Sequence, residues 1–258
     1  MSKKQMFFWY EERIGFFGHS YFKEYADILT LKKTKTEVDF LEKELGLKKG
    51  VEILDLACGH GRHTIELAKR GYIIIGQDAN SFFLHEAKKF AKKANIEARW
   101  IKGDMRQIPF ENKFDIVINL FTSFGYFERE KDNQKVLHQV AKALRPNGKF
   151  VIDVANREYI MRIYKEKESV KLVNGTIVNI ERKFDLVTGC NQEKRTKIYK
   201  NKKREVFNTS IRVYALSELI NMCEKANLQF VVAYGNYDKE VPTINSKRCI
   251  LITKKMVK

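Results

Sequence analysis

VEILDLACGHGRHTIELAKRG, residues 51–71, passes from a continuous apolar run through a Gly-x-Gly turn into a helical pattern. The run is too short for a helix and lacks the alternation of a half-exposed strand, so it reads as a strand buried on both faces. Working outward, YIIIGQD is a second such strand, SFFLHEAKKFAKKAN a helix, EARWIKGD a third strand and FDIVINLF a fourth. A helix follows over 131–144, ended by Pro146-Asn147-Gly148, and KFVIDVA is the fifth strand. Short apolar strands alternating with helices predict an α/β, doubly wound, Rossmann-like parallel sheet with helices on both faces.

The flanks differ from this pattern. Residues 1–50 are rich in aromatics and read as helices, FFGHSYFKEYADIL and then TLKKTKTEVDFLEKELG, with Val38, Leu41 and Leu45 at helical spacing before a Gly46 stop. After the core at 51–168, residues 169–214 read as an antiparallel β insertion, turned at Asn174-Gly175 and near Gly189. Residues 215–258 return to the core with a helix, for which Ser217 is the expected cap, and the strands QFVVAYGNY and RCILITKK. An insertion of this kind covers a site or makes a dimer contact, and a homodimer is a possible assembly.

The chain has 258 residues and 44% hydrophobic content, enough for a large single core. No apolar run approaches the ~20 residues that span a bilayer, and the N-terminus lacks a signal-peptide core. The four cysteines, Cys58, Cys190, Cys223 and Cys249, form no paired zinc motif and no dense disulfide pattern. A cytoplasmic protein without membrane or metal is the expectation. Net charge is +17, and 194–204, KRTKIYKNKKR, holds seven basic residues and no acid. This stretch is either a solvated edge hairpin, whose lysines discourage strand pairing, or a track for a nucleic acid with Tyr199 stacking on a base.

The glycine turn narrows the ligand. Gly59 and Gly61 let backbone approach a bound group closely. Asp78 ends the second strand, where a carboxylate can accept both hydroxyls of a ribose, and Asp104 follows the third, within reach of an adenine amino group. All lie at the carboxyl ends of neighbouring strands, where such sheets bind ligands. A dinucleotide fingerprint wants a third small residue where Thr64 stands, and Asp55 before the turn suits an ammonium group rather than a pyrophosphate. There is no phosphate-binding Gly-Lys-Ser/Thr loop. Adenine, a ribose diol and an amino-acid tail without phosphates meet these features.

Together DLACGHGRHT, GQDAN, GDMRQIPF, FDIVINLFTSFGYF and LRPNGKFVIDV resemble the ordered motifs of class I S-adenosylmethionine-dependent methyltransferases. The resemblance covers roughly 51–154 and implies a seven-stranded sheet with the last strand antiparallel. It implies that Ala57, Cys58, Gly59 and Gly61 cradle the methionine part of the cofactor beside Asp55. Asp78 with Ala79 would hold the ribose, Asp104 and Met105 the adenine, and Asn119 and Leu120 would line the sulfonium side. The N-terminal stretch resembles the lid of small-molecule members, including those that methylate amino sugars and other amines.

Methyl transfer from a sulfonium needs in-line positioning and exclusion of water more than a catalytic triad. Tyr21, Tyr25, Phe124 and Tyr126 are candidates for an aromatic cup that favours a cationic amine or the sulfonium; ordinary core packing is the competing role. Tyr21, Tyr126 and His19 are the candidate catalytic groups, with surface or packing roles weighed above catalysis for all five histidines. Cys58 reads as a small packed side chain. FDIVINLFT lacks the Asn/Asp-Pro-Pro-Tyr/Phe motif of enzymes that methylate base amines. The expected function is methylation of a small molecule or peptide, at nitrogen rather than oxygen. RNA methylation through 194–204 is the alternative, or cofactor or nucleic-acid binding without catalysis.

Overall fold

The computed structural model describes residues 16–18, 21, 24, 25 and 28–257. Tyr21, Glu24 and Tyr25 are helical, while 16–18, 28 and 29 of the first expected helix form turns and bends; its other residues, His19 among them, lie outside the described residues. Helix α1 (Leu31–Leu45) begins at Thr30, whose Oγ1 accepts from the Lys33 N–H at 3.2 Å, and stops at Gly46 in the left-handed region. Val38, Leu41 and Leu45 are buried along its inner stripe, as their spacing predicts.

Five parallel strands follow: β1 (Glu52–Leu56), β2 (Ile73–Asp78), β3 (Arg99–Lys102), β4 (Phe114–Asn119) and β5 (Leu144–Ala155). Helices α2 (Arg62–Lys69), α3 (Ser81–Lys93) and α4 (Glu130–Ala143) lie between them in sequence. A short helix, α5 (Arg157–Arg162), not expected from the sequence, leads to strands β6 (Lys167–Lys171), β7 (Ile177–Asp185), β8 (Cys190–Ile198) and β9 (Arg204–Arg212). Helix α6 (Leu216–Lys225) and strands β10 (Leu228–Tyr234) and β11 (Arg248–Lys255) complete the chain.

The main sheet has seven strands in the order β10-β11-β5-β4-β1-β2-β3, with β11 antiparallel to both neighbours. Its last strand therefore runs as the resemblance implies. Alternation within each strand feeds two cores. Leu54, Leu56 and Val117 pack with α4 and α6 on one face, while Ile53, Ile116 and Ile118 pack with α1 and α2 on the other. Burying such a side chain contributes about 1.5–3 kcal/mol. Both faces are covered because a parallel sheet leaves neither to solvent. The strand order reverses between β1 and β4, and the crevice opens there.

Three local readings are corrected. Pro146-Asn147-Gly148 does not follow the helix directly: α4 ends at Ala143, and β5 already begins at Leu144. Leu144 pairs Phe114 and Lys149 pairs Ile116, so 145–148 bulge out of the ladder with Asn147 at φ 65°. Arg145 anchors the bulge by ion pairs to Glu52 and Asp115. Ser217 is not the cap of α6; Ala215 occupies that position and its N–H donates to the Glu218 carboxylate at 2.8 Å. The third concerns 194–204. The hairpin joins β8 to β9; β9 is an edge of the four-stranded sheet β6-β7-β8-β9, but β8 is an interior strand. Arg195 and Lys197 turn inward, and the Lys197 side chain is only 3% exposed.

The four-stranded sheet is seated on the core at Gly125. The Arg212 N–H donates to the Gly125 carbonyl at 2.8 Å, and a Cβ on Gly125 would stand 2.3 Å from the Arg212 carbonyl oxygen. Only glycine, here at φ 103°, permits that approach.

Candidate functional site

A cavity of about 400 Å³ lies over the carboxyl ends of β1, β2 and β4. Its floor is the glycine turn. Its walls are Phe17, Tyr21, Tyr25 and Phe83, and the four-stranded sheet closes it with Asn191, Glu193, Arg195 and Ile211. Of the sequence-predicted residues, Asp55, Ala57, Cys58, Gly59, Asp78, Ala79, Asp104, Met105, Leu120, Tyr21, Tyr25, Phe124 and Tyr126 line this one space.

Gly61 and Asn119 stand outside the lining. A Cβ on Gly61 would meet the Trp100 ring at 2.3 Å, so this glycine makes room for β3 packing beneath the turn. Asn119 lies behind Leu120, donating to the Leu56 carbonyl at 2.9 Å, and its Oδ1 is buried without a hydrogen-bond partner. Phe124 lines the cavity but is 2% exposed and packs on Tyr214 with 5.4 Å between ring centroids, so its larger part is core.

Asp78 is held by backbone N–H groups. Its Oδ2 accepts from the Gly59 N–H at 2.7 Å and its Oδ1 from the Asn80 N–H at 2.8 Å. Each carboxylate oxygen has two lone pairs, so each keeps one for a further donor. Burial pushes the carboxyl up to about 6; the Asn80 and Gly59 N–H groups oppose the rise and the nearby Asp55 charge adds to it. Asp55, itself raised by burial, accepts from the Thr64 hydroxyl at 2.6 Å. Thr64, which spoils the dinucleotide fingerprint, thus serves as a donor to the buried acid. Asp104 also lines the cavity, and Arg106 grips its carboxylate through Nε at 3.1 Å and Nη2 at 2.6 Å.

Arg62 is the residue that sequence reading missed, although it follows Gly61 directly. Its Nη1 donates to Thr34 at 3.1 Å and to Glu37, while Nη2 is buried and has no hydrogen-bond partner. His63 Nε2 lies 2.8 Å from the same Glu37 carboxylate. Burial opposes the Glu37 charge, but the His63 hydrogen bond and the charges of His63 and Arg62 hold it down to about 2. An anchored guanidinium with one idle N–H edge on the cavity wall fits a carboxylate. Asp78 with spare acceptors for a diol, Asp55 near the turn and Arg62 for a carboxylate together fit the ribose and amino-acid ends of S-adenosylmethionine.

The opposite wall is strained. Phe121 and Thr122, just after β4, both have positive φ, 62° and 60°. Such values are rare for residues with a Cβ and persist only where surroundings enforce them. Asp153 enforces them: its carboxylate accepts from Phe121 N–H at 3.1 Å and its carbonyl from Thr122 N–H at 2.8 Å. The carboxylate also accepts from Tyr237 at 2.8 Å and from Arg248 at 2.6 Å. Lys33, Arg62 and Arg248 all lie within 5.5 Å of the Phe121 ring.

Tyr21 and Tyr25 stack with centroids 4.4 Å apart, and Phe17 meets Tyr126 edge-on at 5.5 Å. Burial raises the phenols of Tyr21, Tyr25 and Tyr126, so all three keep their protons at neutral pH. They can donate and stack but are not bases. His60 is held down to about 4 by burial and by Arg62, and is neutral. His63 is tied to Glu37, and His85 and His138 are exposed. Burial, then Asp55 and Asp78, push the Cys58 thiol well up, which removes it as a nucleophile. Among the described residues no group of three or more His, Cys, Asp or Glu could hold a metal, and no helix is long and apolar enough to cross a membrane.

The Asp78 environment predicts a pH dependence. Hydroxyl donors favour its charged form, so cofactor affinity falls as pH drops through about 6, by about tenfold per unit well below that point. Titrations at pH 6 in buffers of different ionisation enthalpy will show proton release on binding; affinity flat from pH 5 to 8 would contradict it. In the unliganded fold the sign is reversed. A carboxyl raised above its unfolded value costs stability as pH rises from about 4, with the full cost above about 6.

Residues 53–148 match the family model described as a methyltransferase domain. The glycine/sarcosine N-methyltransferase of Halorhodospira halochloris is 30% identical over 131 residues, 50% of this chain and 49% of that protein. The glycine N-methyltransferase of Rattus norvegicus is 30% identical over 159 residues, 53% of this chain and 54% of that protein. The chain thus spans about half the length of the curated relatives it matches. A crystal structure of an S-adenosylmethionine-dependent methyltransferase from Clostridium acetobutylicum superposes with a TM-score of 0.80 at 18% identity, covering 93% of this chain and 97% of that one. Residues 53–148 thus resemble a methyltransferase domain, and the fold is that of S-adenosylmethionine-dependent methyltransferases.

Proposed function

We propose that this methyltransferase-domain chain transfers the methyl group of S-adenosylmethionine to a nitrogen of a small molecule. The observation that carries the reading is one cavity shared by an amino-acid and diol site at the strand ends and an aromatic cup under the four-stranded sheet. The relatives at 30% identity that are named N-methyltransferases support nitrogen over oxygen.

The cofactor supplies an activated methyl on a sulfonium; the chain supplies position and dryness. Asp78 and Arg62 fix the two polar ends of the cofactor. Tyr21, Tyr25 and Phe121 shield the acceptor side, and aromatic faces favour a cationic centre by roughly 0.5–2 kcal/mol. Holding the acceptor nitrogen in line at about 3–3.5 Å is worth roughly 7–11 kcal/mol of barrier. The protonated tyrosines and the neutral His60 leave the acceptor amine to enter as its free base.

The inward pairing of two cations weakens the alternative of RNA methylation through 194–204. Two of its seven cations, Arg195 and Lys197, are bound by Glu24 inside the molecule. Incubation with methyl-labelled cofactor, a panel of primary and secondary amines, and total RNA tests the proposal. Label on amine nitrogen is expected; label in RNA and in no small amine would overturn it.

A further inference from the structure

A chain of ion pairs runs through the inner face of β8. Glu168 pairs with Arg182 at 2.9 Å, Arg182 with Glu193 at 2.9 Å, and Glu193 with Arg195 at 2.9 Å; Arg195 then binds Glu24, which also takes Lys197 at 2.7 Å. Three cations and three carboxylates cancel along this chain, and Arg212, which lines the cavity from β9, is paired with Glu130 at 2.7 Å. Asn191, on the same face of β8, is 7% exposed and lines the cavity. Its Nδ2 donates to Glu193 Oε1 at 3.3 Å, while its Oδ1 is buried without a partner.

The amide orientation follows from its neighbour. A carboxylate accepts and cannot donate, so Glu193 selects the NH2 side of Asn191 and leaves the carbonyl idle. Arg182 and Arg195 fix Glu193 in turn. A buried acceptor left unpaired costs stability, and Asn191 lines the cavity, so a group entering there can supply the partner. Ile211, paired with Asn191 across the β8–β9 ladder, also lines the space and supplies an apolar neighbour.

We infer that the four-stranded sheet is the acceptor-recognition wall, and that Asn191 Oδ1 takes a hydrogen bond from a neutral donor group, a hydroxyl or amide N–H, on the methyl acceptor. A carboxylate in that place would face the Asn191 carbonyl beside Glu193 and finds Arg195 already engaged by Glu24 and Glu193. The wall therefore selects hydroxylated or amide-bearing amines over amino acids. Asn191 is a positioning residue and touches the acceptor away from the reacting nitrogen. The inference rests on the proposed methyl transfer.

Three amines on one ring frame test it: trans-4-aminocyclohexanol, trans-4-aminocyclohexanecarboxylate and trans-4-methylcyclohexylamine. With the full chain, the hydroxyl compound is expected to have at least tenfold higher kcat/KM than either of the others. Asn191→Ala is expected to lower kcat/KM for the hydroxyl compound about tenfold, mostly through KM, and to change that of the methyl compound less than twofold. The cofactor Kd of the variant should stay within twofold. In the wild type loaded with S-adenosylhomocysteine, the hydroxyl compound should shift the Asn191 side-chain amide resonances, a readout independent of the variant's folding. Preference for the carboxylate compound overturns the inference, as does an equal loss for all three compounds in the variant. Cofactor binding with neither turnover nor a shift at Asn191 overturns it too, and leaves the methyltransferase reading in place. Failure of the wild type to bind cofactor is a different result and refutes that reading itself.

Discussion

Asp78→Ala is expected to weaken S-adenosylmethionine binding about a hundredfold while leaving the protein folded. The carboxylate offers one spare lone pair per oxygen to the ribose diol, beyond the bonds from Gly59 and Asn80 at 2.7 and 2.8 Å. Hydrogen bonds to a charged group contribute roughly 1.5–3 kcal/mol each, so losing two removes about 3 kcal/mol or more, two decades in Kd. The fold tolerates the change because burial already works against this charge, raising it to about 6. Asp78→Asn keeps an acceptor oxygen without the charge and should lose about tenfold. Calorimetry measures affinity, and thermal melting measures the fold. An Asp78→Ala protein that binds within threefold of wild type would show that the diol is held elsewhere.

The second large effect is on stability. Asp153 is 1% exposed and is the carboxylate partner of Arg248, whose side chain is 22% exposed. Burial works against the Arg248 charge, and Asp153 sustains it. Asp153→Ala leaves a largely buried guanidinium without its counter-charge, a loss of about 3 kcal/mol, and lowers Tm by about 10 °C. It also frees the N–H of Phe121 from the bond that holds its left-handed conformation. Cofactor affinity should fall with stability, since Phe121 and Thr122 line the site. The double variant Asp153→Ala, Arg248→Met removes both charges and should recover most of the stability but not the affinity. A single variant as stable as wild type would show that Arg248 finds another partner.

Much of the core was legible because its signals are local. The run 51–71 carries a buried strand, a tight turn and a helix within one stretch, and Asp78 stands at the end of the next strand. Gly46 marked a helix end because a left-handed residue terminates a helix within one turn. What the sequence concealed depends on partners far along the chain. Arg62 was invisible as a ligand-facing group until Glu37 and Thr34, on α1, appeared as the anchors of its Nη1. The run 194–204 looks wholly basic in sequence, yet Glu24 neutralises its inward cations from the N-terminal segment. Ser217 carried the usual cap chemistry, but the helix starts two residues earlier because Glu218 reaches back to Ala215. Pro146 ended a helix by local rule, whereas the bulge that holds it is set by pairing with β4. Asp104 shows the same limit. Its position after β3 was legible, but not that Arg106, two residues on, would occupy its carboxylate.

The central claim is that the cavity at the strand ends binds S-adenosylmethionine. Calorimetric titration of S-adenosylmethionine and of S-adenosylhomocysteine into the purified, cofactor-stripped full chain tests it most directly. The geometry predicts micromolar or tighter binding of both at one site per chain, competitive with each other and lost in Asp78→Ala. No heat or shift in melting temperature from either compound, with the circular dichroism of a folded α/β protein, would contradict it.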